Sequence, residues 1–403
     1  MKVGVFLGSQ TPEVGGGFTF QDDVLQALIR LESKHTFVIF SYSARGPINQ
    51  VVSEHLRFVS LRRNFWKLAI SNLPAITARV INKVPMVRNW LVITYIPSFK
   101  RIIMDNGIDV AWFVSPGYGE VDVPYICTVW DSQHRLQPWF PEVSAKGEWK
   151  RREKLYEAAI KRASAIIIGT ESGKAEIVQF YAVPPERVRL IPHPTPRYAL
   201  TAPDSSGKEV LVKYHLEEGY LFYPAQFWPH KNHVGLLLAV RLLRDEYNLI
   251  LPVVFVGSDQ GNLKYVRRVV NELGLSTQVY FLGFVPREDM IGLYRNAFAL
   301  TYVTFFGPEN LPPLEAFALG CPVIASKVSG AEEQLGDAAL LVDPKDEKQI
   351  ADAIKQLHDD PTLRDILVSR GKARASKWTS NEYVKAVLSI FDEFEPIRRC
   401  WGR

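Results

Sequence analysis

Apolar residues along this chain gather into short, near-continuous runs, separated by stretches in which they recur every three or four positions. KVGVFLG (2–8), FVIFSY (37–42), DVAWFV (109–114), YICTVWD (125–131), AIIIGT (165–170) and VRLIP (188–192) lack the alternation of a half-exposed strand and fit strands covered on both faces. Between them lie amphipathic stretches such as WKRREKLYEAAIKR (149–162). A strand–helix–strand succession of this kind predicts a doubly wound parallel sheet. The polar run TAPDSSGKE (201–209) reads as a linker, after which the pattern restarts. Strands are predicted at 220–226, 252–257, 279–282, 298–303, 322–326 and 339–342. The expected architecture is α/β, with two Rossmann-like lobes (1–200 and 201–380) facing a central cleft and a last helix within 381–403 crossing back to the first lobe. Ligands of open α/β sheets bind beyond the carboxyl ends of the strands, so the cleft is the expected active site.

Composition narrows the class. With 47% hydrophobic and 23% charged residues over 403 positions, the chain can fill two cores, and disorder is excluded as a description. Cys127, Cys321 and Cys400 are widely spaced and odd in number, so neither a disulfide framework nor a metal knot is expected. No run of about 18 apolar residues occurs, and the N-terminus reads as a first strand, so a cytoplasmic protein is expected. The net charge of +5 is unevenly spread: residues 55–104 contain no Asp or Glu, and their Lys and Arg alternate with aromatics. That segment is expected either to meet an anionic membrane surface or to combine core aromatics with a solvated basic face. No nucleic-acid module is visible, and nucleic acid is not an expected partner.

Residues 303–326, VTFFGPENLPPLEAFALGCPVIAS, carry the strongest chemical signal. A strand end, a Gly/Pro loop and a helix opening on Pro312 and Pro313 place a partially positive helix end beside the loop, where an anion is stabilised. Glu315, near the same end, can accept hydrogen bonds from neutral hydroxyls such as those of a ribose. An anion together with a polyol points to a nucleotide.

Four blocks of the second half resemble retaining glycosyltransferases of the GT-B fold, glycosyltransferase family 4. They are FYPAQFWPHKNHVGLLLA (222–239), VYFLGFVPREDMIGLYRNAFALTYVTFFG (279–307), GPENLPPLEAFALGCPVIAS (307–326) and GAEEQLGDAALLVDP (330–344). The first half is similar more weakly, through VWDSQHRLQPWFP (129–141) and RASAIIIGTESGKAEIVQFYAVPPERVRLIP (162–192).

The resemblance implies transfer of a hexose or deoxyhexose from a nucleoside-diphosphate sugar to a hydroxyl of a glycan or lipid-linked oligosaccharide, with retained anomeric configuration. It implies no metal, since there is no Asp-X-Asp. Lys231 is the expected catalytic cation on the leaving diphosphate, and Glu315 the expected ribose ligand. Gln226 occupies the place of the family's arginine, so His230 or backbone amides are expected to meet part of the diphosphate charge. The family's first motif glutamate falls on Gly307. Donor-sugar contacts are therefore expected from the backbone of Gly307, Asn310 and Leu311, or from Glu309 as a catalytic carboxylate.

Gly16 and Gly17, after the first strand, are expected to let backbone approach a ligand. His134 is expected either to touch the donor sugar or carry a proton, or else to be a satisfied structural histidine. Two other functions fit the same blocks: a GT-B nucleotide-sugar epimerase, and a non-catalytic membrane-associated nucleotide-sugar-binding protein.

Overall fold

Each of the uniformly apolar runs contains a strand, fully or almost fully buried in the sheet interiors and only partly buried at the sheet edges, in Val188–Leu190, Val279–Phe281 and Ala339–Val342. The computed structural model describes residues 1–8, 15–41, 51–53 (backbone only), 55–61 and 99–402. The first sheet contains β1 (Lys2–Phe6), β2 (Thr36–Ser41), β3 (Val51–Ser53), β4 (Leu56–Ser60), β5 (Val110–Phe113), β6 (Tyr125–Thr128), β7 (Ala165–Ile168) and β8 (Val188–Leu190). Its order is β3-β4-β2-β1-β5-β6-β7-β8, parallel throughout except for the β3–β4 edge pair. The second sheet contains β9 (Tyr220–Pro224), β10 (Val253–Val256), β11 (Val279–Phe281), β12 (Ala297–Tyr302), β13 (Val323–Ser326) and β14 (Ala339–Val342). Its order is β11-β10-β9-β12-β13-β14, all parallel.

The chain order reverses between β1 and β5 in one sheet and between β9 and β12 in the other. At such a reversal the connecting helices diverge to opposite faces and leave a crevice beyond the strand ends. The segments after β1, β9 and β12 carry most of the residues singled out from the sequence.

Successive side chains of β1 sort to opposite faces, as strand geometry requires. Val3 and Val5 join a layer with Phe20, Val24 and the C-terminal helix residues Tyr383, Val387 and Phe391, while Phe6 joins Phe40, Tyr125 and Ile166 on the other side. The C-terminal helix, Ser380–Arg398, packs Tyr383, Val387 and Phe391 into the first-lobe core. A reciprocal capping box between Thr379 and Glu382 starts it. Arg398 pairs with Asp109 at 3.1 Å, and His35 with Asp392 at 3.0 Å, fastening its far end.

Strands β3 and β4 were not predicted. Strand β3 precedes the basic, aromatic run and β4 lies within it, with Leu56 and Phe58 in one core layer and Val59 packed against the other. At the run's other end Ile102 and Ile103 are buried, Phe99 packs on Phe6 at 5.3 Å, and Lys100 pairs with Asp122 at 3.2 Å. These flanks of the expected membrane-facing segment therefore build the first lobe. The remainder of that expectation, residues 62–98, lies outside the described residues.

The lobes join at two adjacent crossings. The Thr195 N–H donates to Trp378 O at 3.0 Å, and Trp378 Nε1 donates to Pro192 O at 2.8 Å. Ala199 already belongs to the second core, so the chain changes lobes a few residues before the polar run 201–209. Asp23, buried beside this crossing, accepts the Arg197 N–H at 2.9 Å.

Burial raises the Asp23 carboxyl from 3.8 to about 6, against the Arg197 bond and the charge of Arg287. A raised acid pKa means that the folded state bears a cost once the unfolded carboxyl ionises above about 4, and the cost is complete above about 6. Asp23→Asn keeps a carbonyl oxygen for Arg197. It is expected to stabilise the protein at pH 8 by about 1–3 kcal/mol, a gain that shrinks as pH falls through 6 towards 4. Melting curves of both proteins across that range check this.

Candidate active site

The facing ends of the two sheets enclose a cleft of about 1410 Å³. Its second-lobe wall is made by the segments that follow β9, β10, β11 and β12. Lys231 ends a single 3-10 turn, Pro229–Lys231, which Asn232 closes in the left-handed region at φ 53°. Asn tolerates that conformation because its short side chain bonds locally. Here the buried Asn232 amide donates to Val303 O (2.9 Å) and Pro344 O (2.8 Å) and accepts from Gly235 N (3.1 Å). Tyr223 donates its hydroxyl to Lys231 O, and the ammonium lies 5.2 Å from the centre of the Tyr302 ring. Lys231 thus stands at the cleft on a backbone tied at both ends.

His230 and Gln226 share this wall. Gln226 accepts from Trp228 Nε1 at 3.0 Å and donates to Ser258 Oγ at 3.1 Å, so it positions its neighbours. Glu142 of the first lobe crosses the cleft to His230: it accepts the His230 N–H at 3.0 Å and pairs with Nδ1. Burial and the charge of Lys231 lower the His230 pKa, against the pull of Glu142. Burial raises Glu142, but the His230 hydrogen bonds outweigh it and hold the carboxyl below its usual value. An ionised carboxylate therefore faces a neutral imidazole protonated on Nδ1.

The 304–311 loop is lashed to the same turn, with Phe305 N and Thr304 Oγ1 donating to His230 O at 2.8 and 3.0 Å. Gly307, at φ 142°, receives the Asn310 side chain on its carbonyl at 2.8 Å. Gln334 exchanges hydrogen bonds with both the N–H and the C=O of Asn310. The helix Leu311–Leu319 then starts at the cleft with Leu311 and Pro312 in its lining. Since Pro312 and Pro313 carry no N–H, the donor this end can offer first is that of Leu311, alongside its dipole.

Glu315 is buried. It accepts from Tyr294 Oη at 2.7 Å and interacts with Tyr198, and burial raises its carboxyl against both tyrosines and Arg287. A carboxylate has about four acceptor positions, so two tyrosine donors leave room for hydroxyls of a ligand.

The first-lobe wall includes Gly15, Gly16, Gly17, Phe20, Trp130, Asp131, Arg152 and His193. A Cβ on Gly16 would lie 3.3 Å from Leu311 Cδ1, so the glycines let this loop approach the helix start opposite. His134 is not in the lining. It is fully buried, with Nε2 at 3.2 Å from Glu153 and its ring edge-on to Tyr156 at 5.2 Å. The sequence-based assignment of His134 to the site is corrected: it is a buried structural histidine whose Nε2 faces Glu153 and Tyr181 of the helices Glu148–Arg162 and Glu171–Tyr181.

Glu309 lines the cleft but is not free to act from there. Its side chain is 4% exposed and both oxygens are engaged by His193. Three contributors escaped the sequence: His193, Glu142 and Arg287. Arg287 follows β11, lines the cleft, lies 5.1 Å from the Tyr198 ring centre and reaches Thr19 at 3.4 Å and Asp22 at 3.7 Å on the first lobe. Their only sequence signal is placement just past a strand end or in a cleft-side loop.

Among the described residues one group, His35, Asp392 and Glu395, has metal-ligand proximity. Lys34 reaches both carboxylates at 2.9 and 3.2 Å, and the N-terminal ammonium lies 3.7 Å from Glu395. It therefore reads as an ion-pair network behind the cleft.

A family model described as Glycosyl transferases group 1 matches residues 212–374, and one described as Glycosyltransferase Family 4 matches residues 14–196. The chain is 30% identical over 240 residues to O-antigen chain mannosyltransferase B of Escherichia coli, covering 59% of this chain and 63% of that protein. It is 29% identical over 210 residues to O-antigen chain mannosyltransferase RfbU of Salmonella typhimurium, covering 51% and 54%. The matched part thus spans between about half and two thirds of these relatives. Sucrose-phosphate synthase from Thermosynechococcus elongatus superimposes with a TM-score of 0.69 at 17% identity, covering 98% of this chain and 100% of that one. WaaG, a glycosyltransferase involved in lipopolysaccharide biosynthesis, gives 0.67 at 14% identity, with 96% and 99% covered. With one family model on each lobe and the GT-B fold shared almost end to end, the chain belongs to the group 1 and family 4 glycosyltransferases.

Proposed function

We propose that this protein is a retaining glycosyltransferase. It takes a hexose or deoxyhexose from a nucleoside-diphosphate sugar and joins it to a hydroxyl of a glycan or lipid-linked acceptor during cell-surface polysaccharide synthesis. The mannosyltransferase relatives make mannose the first sugar to try. The observation that carries the reading is Lys231, fixed on its turn in a cleft it shares with the start of the Leu311–Leu319 helix.

Breaking the bond from sugar to diphosphate builds negative charge on the leaving phosphate. Lys231, the Leu311 N–H and the helix dipole oppose that charge, with Arg287 at the cleft edge. Glu315 accepts the ribose hydroxyls. The acceptor oxygen attacks from the same face as the departing group, and the diphosphate takes its proton.

The test is a thermal-shift screen with UDP, GDP, ADP and dTDP, followed by turnover with the matching sugar nucleotide. One base is expected to stabilise the protein by about 2.7 kcal/mol at a hundred times its dissociation constant, and the product should keep the donor's anomeric configuration. No response to any of the four would sink the reading. An isomerised free sugar nucleotide would make the protein an epimerase, and binding without diphosphate release a non-catalytic binder.

A further inference from the structure

We propose that His193 meets the substrate directly, its Nε2 accepting a hydrogen bond from a carbohydrate hydroxyl at the cleft floor, and that Glu309 is its positioning residue. This rests on the sugar-transfer reading above and adds to it a recognition group on the first lobe.

The geometry around His193 is unusually constrained. Glu309 Oε1 accepts the His193 N–H at 2.6 Å, while Oε2 lies 3.1 Å from Nδ1. An imidazole whose Nδ1 faces a carboxylate carries its proton there and keeps the lone pair on Nε2. The ring is wedged edge-on against Phe20 at 4.9 Å and Trp130 at 6.1 Å, both in the cleft lining. It cannot flip without breaking the bond to Glu309, and its side chain, 14% exposed, belongs to the lining too.

A second observation is independent of the histidine. Gly169, directly after β7, has no side chain where the Glu309 carboxylate lies: a methyl group there would overlap it. The first lobe thus carries a slot shaped to admit a side chain from the second. Because Glu309 and His193 belong to opposite lobes, the oriented imidazole exists only when the lobes are together, which is when a sugar between them must be gripped.

The experiment uses the full chain and the sugar nucleotide that the wild type turns over. His193→Ala is expected to lower kcat/KM by about tenfold or more while affinity for the nucleoside diphosphate alone stays within about twofold. His193→Gln, which can present an amide oxygen near the Nε2 position, should recover part of that loss. Gly169→Ala should reproduce Glu309→Ala, because it expels the flexible end of Glu309 and leaves both members of the pair in the chain. The double variant should lose nothing further beyond about twofold, since both act through one contact.

Hydrolysis of the donor without acceptor locates the hydroxyl. Hydrolysis and transfer falling together place it on the donor sugar; transfer falling alone places it on the acceptor. The proposal is overturned if His193→Ala is silent, if nucleotide affinity falls as far as turnover, or if Gly169→Ala and Glu309→Ala add. A wild type inert with every sugar nucleotide would remove the transfer reading, and this one with it.

Discussion

Lys231→Ala is expected to lower turnover by about a hundredfold or more, the loss typical of removing one fixed donor from a site where charge develops in the transition state. A hundredfold corresponds to about 2.7 kcal/mol of activation free energy. The case for so large an effect is rigidity. The turn that carries Lys231 is closed by Asn232, whose buried amide grips two carbonyls from separate loops, and the Lys231 carbonyl itself receives a tyrosine hydroxyl. The backbone that carries the ammonium is held in place before the reaction begins, which limits the reorganisation needed as charge appears.

Gln226 sharpens the expectation. It is committed to Trp228 and Ser258, and it carries no charge where the family's arginine would. Lys231→Arg should retain part of the rate, because the charge survives while the point of contact moves along a longer, planar group. The measurement is kcat with the cognate sugar nucleotide, set beside affinity for the nucleoside diphosphate. Unchanged kcat in Lys231→Ala would refute the assigned role. A fall in binding that accounts for the whole loss would reduce Lys231 to a ground-state ligand.

The parts of this molecule that were legible from sequence are those in which local pattern and tertiary environment agree. Twelve strands show as near-continuous apolar runs, most of them buried on both faces, and the C-terminal helix shows as a last long helical stretch. Strand β4 was hidden because one of its faces carries Arg57 into solvent inside a basic run, where a membrane-facing surface and a solvated face over core aromatics both fit the pattern.

Placement at the cleft was legible wherever a residue follows its own strand end, as for Lys231, Gly307 and Glu315. It was illegible wherever the partner comes from the other lobe. Glu142 meets His230 across 88 positions and Glu309 meets His193 across 116. No spacing rule connects them, because the pairing is made by the docking of two sheets. His134 failed for the opposite reason. Its local run, Asp131 to His134, left a site role and a structural one both open, whereas Glu153, Tyr156 and Tyr181 close over it from later helices.

Gly307 offers the most direct conflict between motif and geometry. Restoring the family's carboxylate with Gly307→Glu is expected to lower turnover by about tenfold or more, because the backbone there cannot hold a side chain without cost. At φ 142° the residue lies where only glycine is comfortable, and a Cβ would fall 2.6 Å from the Asn310 amide. The left-handed strain alone costs about 1–3 kcal/mol, and displacing Asn310 forfeits its bond to the Gly307 carbonyl, worth about 0.5–1.5 kcal/mol.

Asn310 is the residue through which Gln334 fixes the start of the Leu311–Leu319 helix, so the disturbance reaches the diphosphate end of the cleft. Gly307→Ala separates the two contributions. It imposes the same backbone cost with no carboxylate, and should lose nearly as much turnover as Gly307→Glu if strain dominates. Turnover in Gly307→Glu at or above that of the wild type would show that the loop can reshape around a side chain and that the glycine is not what sets its geometry.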